Sequence, residues 1–179
     1  MLGVVSNDLQ INMTRDVAAD EMILSGFFNS IGLFTNHKVT KEMLIKTRDI
    51  LKFLEIEQLS KRNLNELSSG EARRVMIARA LVHKPKALLL DEPMNSLDIR
   101  SSHVFRGLLR KITKAGTNII IVTHNVHDIF PEINRVILIK DGGIFDDGPK
   151  SVIMKEQTLS RFFSTKLNLF KKNGYFYAC

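Results

Sequence analysis

Apolar residues return along this chain in two rhythms, one helical and one extended. From Thr40 onward, Met43, Leu44, Thr47, Ile50, Leu51 and Leu54 recur at threes and fours, with Lys41, Lys46, Arg48 and Lys52 opposite them. That spacing predicts an amphipathic helix with Thr40 as its cap. Residues 16–28 place Val17, Met22, Ile23 and Leu24 on one helical face behind a cap at Thr14 or Asp16, and Ser25-Gly26 and Ser30-Ile31-Gly32 break the pattern. Residues 56–67 are polar and read as a connection. Past them the rhythm changes. A helix over 71–83 stops before Pro85, and short apolar runs at 86–90, 118–123 and 135–140 then alternate with a helix over 99–114 and a short one over 126–130. Residues 2–5 form another such run. Strands that are nearly pure apolar runs and alternate with helices predict a parallel sheet buried on both faces. Asp141-Gly142-Gly143 predicts a hairpin turn into Ile144-Phe145.

Composition narrows the setting. The chain has 179 residues, 44% hydrophobic and 25% charged, as expected of a globular domain. Its longest apolar runs, 87–90 and 119–122, are far too short to span a bilayer. The first residues have neither a basic start nor a long apolar stretch, so no signal peptide is expected. The single cysteine, Cys179, has no internal partner, and a reducing cytoplasmic setting is expected. Of the net charge of +7, five units fall after Gly148, where six basic residues face Glu156 alone. We expect a solvated basic tail there. Without stacking aromatics set among base-reading side chains, it argues against a nucleic-acid partner.

Candidate chemistry lies in the second half. The run 87–90 leads into Asp91-Glu92-Pro93, two adjacent carboxylates at the C-terminal end of a strand, where open α/β sheets bind ligands. Side chains alternate along a strand, so the two acids face different ways. One suits a hydrated Mg²⁺, the other a water polarised for attack on phosphorus; a pair of solvated acids ending a strand is the plain alternative. Upstream, Leu67-Ser68-Ser69-Gly70-Glu71 opens a helix. Hydroxyls, a glycine and free helix N–H groups there make an anion site, and a simple capping box of Ser68 with Glu71 fits the spacing equally well. Ser96-Leu97-Asp98 and Thr123-His124 follow downstream.

These motifs, in this order, resemble the ATP-binding cassette (ABC) family, over residues 2–163. Leu67 to Glu71 is similar to the family's signature, with Ser69 where it usually has glycine and Glu71 where it usually has glutamine. The run ending in Asp91-Glu92 resembles its Walker B strand, Ser96-Leu97-Asp98 its D-loop and His124 its switch histidine. Asn7, with Gln10 nearby, falls at the Q-loop position. The resemblance implies ATP and Mg²⁺ as ligands, Asp91 holding the metal through water, Glu92 as catalytic base and His124 on the γ-phosphate. Leu67, Ser68, Ser69, Gly70, Glu71, Asp98, Asn7 and Gln10 would line the nucleotide. A cassette dimer partner, identical or different, and a membrane permease subunit are the implied partners. Residues 22–33 are similar to the branch of molybdate-transport-type and other soluble cassettes.

The phosphate-cradling string G-x-x-x-x-G-K-[ST] occurs nowhere in the 179 residues, and no Gly-Lys pair does. The expectation is therefore an α/β fold: a partial P-loop NTPase (RecA-like) parallel sheet with a helical subdomain, its P-loop strands missing through truncation, internal start or gene decay. The expected parts are a strand and Q-loop region (1–15), a helical subdomain (16–66), a signature, Walker B and switch core (67–148) and a basic C-terminal helix or tail (149–179). Three roles stay open: an ATPase component inactive alone, a half-site donor to an intact cassette, and an inert remnant.

Overall fold

The computed structural model describes residues 2–6 and 16–179. They fold as two compact units, Met1–Thr123 and His124–Cys179.

In the first unit, β1 (Leu2–Val5), β2 (Ala87–Asp91) and β3 (Asn118–Val122) form a parallel sheet in the order β1-β2-β3. Its register sets Val4 beside Leu89 and Leu89 beside Ile120. The helices of this unit are α1 (Ala19–Ser25), α2 (Lys41–Phe53), α3 (Ser69–Leu81) and α4 (Ile99–Lys114). Alternation decides which side chains are buried: Val5, Leu88 and Leu90 point into the core with Val75, Ile77, Phe105, Leu109 and Ile112. The opposite face corrects the expectation of a sheet buried on both sides. Leu2, Val4, Ile120 and Val122 are between 41% and 52% exposed.

The helical segment also departs from its pattern. Instead of covering 16–28, α1 begins at Ala19 and gives way to a 3₁₀ turn over Gly26–Phe28. No side chain caps it at Ala18. Asp16, the cap candidate, accepts from Asn65 Nδ2 (2.6 Å). The first-turn N–H groups of Ala19 and Asp20 donate instead to the carbonyls of Arg62 and Ser60 (3.0 and 2.9 Å), which satisfies them without a cap. The connection thus has a packing role, and its Ile56 and Leu59 are buried. Helix α2 matches its pattern, with Thr40 Oγ1 accepting from Met43 N (3.3 Å). Its buried stripe is narrower than predicted: Thr47 and Leu51 are buried, Leu44 is exposed. Gly26 marks where α1 meets α3, since a Cβ there would lie 2.6 Å from the Arg79 carbonyl oxygen.

In the second unit, β4 (Arg135–Lys140) pairs antiparallel with β5 (Gly143–Pro149) across the expected turn. The predicted short helix over 126–130 is a 3₁₀ turn, Val126–Asp128. Helices α5 (Lys150–Ile153) and α6 (Glu156–Phe163) follow, then a second hairpin, β6 (Leu169–Lys172) and β7 (Tyr175–Ala178). Met154, Leu159, Leu167 and Phe176 form the core, with Val126, Val136 and Leu138 packed against it. The expected solvated tail is therefore a folded structure. Lys150 donates to the carbonyls of Phe130 (3.2 Å) and Pro131 (2.7 Å), and burial, then the nearby Lys171 charge, pushes its ammonium below the ordinary lysine range. Asn173 (φ 52°) and Gly174 (φ 82°) turn the second hairpin, a two-residue loop with both φ values positive, as strand twist favours.

Candidate functional site

The five signature residues sit where the connection ends and α3 begins. Ser68 is the N-cap: its Oγ accepts from Glu71 N (3.3 Å) and donates to Glu71 Oε2 (2.9 Å), and its own N–H donates to the same Oε2 (2.9 Å). The capping box is fully formed. Glu71 Oε1 lies 3.6 Å from Arg62 Nη1. The Ser68 backbone N–H bond, together with the Ser68 hydroxyl and the Arg62 charge, holds the Glu71 carboxyl below its ordinary range against the opposing effect of burial. Ala72 N donates to the Ser68 carbonyl (2.9 Å). In this first turn, the N–H groups of Ser69 and Gly70 are thus the two that helix geometry leaves without an intrahelical acceptor. Ser68 and Ser69 are exposed. A Cβ on Gly70 would meet nothing nearer than Leu97 and Ser101, both at 3.6 Å, so nothing within the chain requires glycine there.

The paired acids end β2 at the C-terminal edge of the parallel sheet. Asp91 is the last strand residue, in register with Val122, and is exposed. Glu92 N donates to the Val122 carbonyl (2.9 Å), and its φ of 45° is left-handed. Such a conformation is uncommon for a residue without special tolerance of it, and is held only when its surroundings enforce it. Ser96 (φ 62°) repeats it four residues later. Asp98 caps α4, accepting from Ser101 N (2.9 Å) and Ser101 Oγ (2.6 Å). The Ser101 hydroxyl, then its N–H, holds the Asp98 carboxyl below its ordinary range.

Signature and Walker B regions are joined through a residue that sequence reasoning missed. Arg73 is 6% exposed, and its Nη1 donates to the carbonyls of Pro93 (2.7 Å) and Asn95 (3.0 Å). It fixes the loop after Glu92 onto α3. One turn and a half on, Arg79 donates from Nε to Ser25 Oγ (3.2 Å) and from Nη2 to the Ser30 carbonyl (2.8 Å). It ties the helical segment to the same helix. Burial lowers both guanidinium pKa values, yet both stay charged. Helix α3 is buried nearly all round, so no polar face in the sequence flags either arginine.

His124 opens the second unit and, with His127, Phe163 and Leu167, lines an open cavity of about 410 Å³. Asn7 and Gln10 lie outside the described residues, as does Thr14. Among the described residues, no three His, Cys, Asp or Glu side chains gather to enclose a metal, and no helix is long and apolar enough to cross a membrane. Mg²⁺ keeps much of its water shell and takes one or two carboxylates plus substrate phosphates. A lone exposed carboxylate such as Asp91 fits that requirement.

Comparison with known proteins identifies what this chain is similar to. A family model described as ABC transporter matches residues 2–95. The ABC transporter ATP-binding protein YlmA of Bacillus subtilis is 34% identical over 171 residues, covering 94% of this chain and 64% of that protein. The chain thus spans just under two thirds of this relative's length. Among solved structures, CbiO1 of Clostridium perfringens, part of the CbiONQ transporter complex, is 27% identical with a TM-score of 0.73, covering 89% of this chain and 61% of that one. An ABC transporter described as of the metal-chelate type, in an inward-facing conformation, matches with a TM-score of 0.82 at 21% identity, over 99% of this chain and 70% of the other, a likeness of fold.

Proposed function

The chain belongs to the ABC transporter family of ATP-binding proteins, and on that premise we propose that it is the signature and Walker B part of a cassette that hydrolyses ATP to drive a transport system. The observation that carries this is the Arg73 clamp, which couples the helix headed by Ser68, Ser69 and Gly70 to the loop leaving Asp91 and Glu92 at the sheet edge. Glu92 is the base that orients and polarises the attacking water. Asp91 would hold Mg²⁺ through water, and that ion supplies neutralisation of charge on the β- and γ-phosphates. His124 carries the γ-phosphate contact assigned to it from sequence, and Asp98, Leu67 and Glu71 shape the approach. By the same resemblance, Asn7 and Gln10 belong to the Q-loop.

The 179 residues hold no Gly-x-x-x-x-Gly-Lys-Ser/Thr string. Without that cradle and its lysine, the main electrostatic grip on the phosphates is missing from these residues. The chain by itself therefore binds ATP weakly and does not turn it over. Steady-state phosphate release by the purified chain tests this: no release is expected, and hydrolysis that disappears in Glu92→Gln would overturn it.

A second reading, a half-site donor to an intact cassette, is supported by Gly70, where a Cβ would make only ordinary contacts with Leu97 and Ser101 at 3.6 Å, so that packing among the described residues does not demand its absence. The Ser69 and Gly70 N–H groups would then face phosphates held by the partner. Co-purification with an intact cassette under ATP is the expected result, and failure to co-purify sinks this reading. That CbiO1 is part of a transporter complex supports a membrane permease as the further partner.

A further inference from the structure

We propose that the β6–β7 hairpin is a docking surface for an anionic bilayer, with Phe170 and Tyr177 entering the headgroup layer and the surrounding lysines contacting lipid phosphates. One side of this hairpin is fully accounted for. Phe176 belongs to the core of its unit, and Leu169 and Ala178 pack against that core. The other side is not. Phe170 and Tyr177 are directly paired across the strands and share the outward face, where they are 56% and 43% exposed. Two adjacent, half-exposed aromatic rings on a two-residue turn make an apolar surface that the fold covers only in part, through the His127 ring beside Tyr177.

The charge of residues 149–179 is one-sided, although Arg161 lies over the Phe145 ring and Lys171 over Phe176. Lys155, Arg161, Lys166, Lys171 and Lys172 are all exposed. The lone acid of this stretch, Glu156, accepts the Leu169 N–H through Oε1 (2.9 Å), so one carboxylate oxygen is turned toward the backbone. Lys150 is excluded from the surface by its bonds to two carbonyls. Lysine stems lie along apolar surface while their ammonium groups reach polar partners. Anionic lipid attracts such clusters, and neither a few lysines nor two rings anchors stably alone, whereas the combination does. Single-stranded nucleic acid would need a run of free ring faces. Tyr177 already rests against the His127 ring at 5.1 Å and 53°, which leaves Phe170 as the one unengaged ring of the pair and favours the bilayer.

Nucleotide chemistry does not enter this inference, so its failure and that of the proposed function are separate results. The test is sedimentation of the whole chain with vesicles of phosphatidylglycerol and phosphatidylcholine in equal parts, against phosphatidylcholine alone. Binding is expected only to the anionic vesicles and should weaken with salt. Each basic charge contributes about fivefold, so replacing Lys166 and Lys172 by Gln lowers binding about 25-fold. Phe170→Ser with Tyr177→Ser should remove the part of binding that resists salt. Phe170, Lys172 and Tyr177 share the outward face, whereas Lys171 pairs with Phe176 on the other and lies 5.6 Å from that ring's centroid; a wild-type far-ultraviolet spectrum checks that the fold is kept. The wild-type chain provides a second readout. It has no tryptophan, and its two tyrosines, Tyr175 and Tyr177, both lie in β7, so vesicles of brominated lipid should quench its tyrosine emission. Equal binding to neutral vesicles, no binding to anionic ones, binding without quenching, or tighter Phe170-dependent binding to oligouridylate than to vesicles would each overturn the proposal.

Discussion

Arg73→Met removes the guanidinium that ties α3 to the loop after Glu92 while keeping an unbranched stem of similar girth. Two charge-assisted hydrogen bonds are lost, at 2.7 Å to Pro93 and 3.0 Å to Asn95. Hydrogen bonds to charged groups contribute about 1.5–3 kcal/mol each, and a carbonyl left buried without a partner costs as much again. Their surroundings decide between these limits. Pro93 is buried, so its carbonyl stays unpaired, whereas Asn95 is exposed and its carbonyl regains water. We expect about 2 kcal/mol from the first bond and about 1 from the second, about 3 kcal/mol in all. With a urea dependence of about 2 kcal/mol per molar, the unfolding midpoint should fall by about 1.5 M. The loss should be local as well as global. The N–H groups of Asn95 and Leu97, which donate to Glu92 and Met94, should lose protection from hydrogen exchange in Arg73→Met while the strand amides of 87–90 keep theirs. A midpoint shift below about 0.3 M, or unchanged protection at Asn95 and Leu97, would refute the view that Arg73 fixes the Walker B loop.

Gly70→Ala should keep or raise the unfolding midpoint, by up to about 1 kcal/mol in stability, because the new methyl group meets only van der Waals neighbours and alanine favours the helix. The same variant should fail to co-purify with an intact cassette under ATP, and retention equal to wild type would place the half-site contact elsewhere. Glu71→Gln tests the capping box by pH. The folded Glu71 pKa lies below its unfolded value, so its contribution is complete above the ordinary glutamate range and fades as pH falls through the depressed folded value. Melting temperatures followed from neutral to acidic pH should show the wild type losing that increment and Glu71→Gln lacking it; parallel acid limbs would refute the assignment.

What could be read from the sequence had its own local signal. Helix α4 announces itself through Asp98 at the cap and an apolar stripe that ends in Phe105, Leu109 and Ile112, and β2 through its apolar run and the acids that end it. The second hairpin was hidden although Asn173-Gly174 is a strong turn signal, because Lys166, Lys171 and Lys172 make the segment look like a charge run. Arg73 had no signal, since a helix buried nearly all round carries no clear polar stripe against which a functional cation stands out. Glu92 was legible as a residue, but its backbone conformation was not. It precedes Pro93, which favours an extended backbone, yet its φ is 45°. Local preference and fold disagree there, at the carboxylate assigned as base, and such conflicts gather at functional positions.

The signature presents the opposite case, two readings that the sequence left equal. Geometry separates them by atom. The Ser68 hydroxyl both accepts from Glu71 N and donates to Glu71 Oε2, so it must release the carboxylate before it can donate to a phosphate. The Ser69 and Gly70 N–H groups need release nothing. Capping and the proposed anion contact are therefore compatible on these five residues: Ser68 and Glu71 hold the first turn in shape, and the two amides between them are the donors left for a phosphate. On this division, Ser68→Ala should weaken anion contact only as far as the turn frays, whereas a side chain at position 70 blocks the approach while leaving the turn intact.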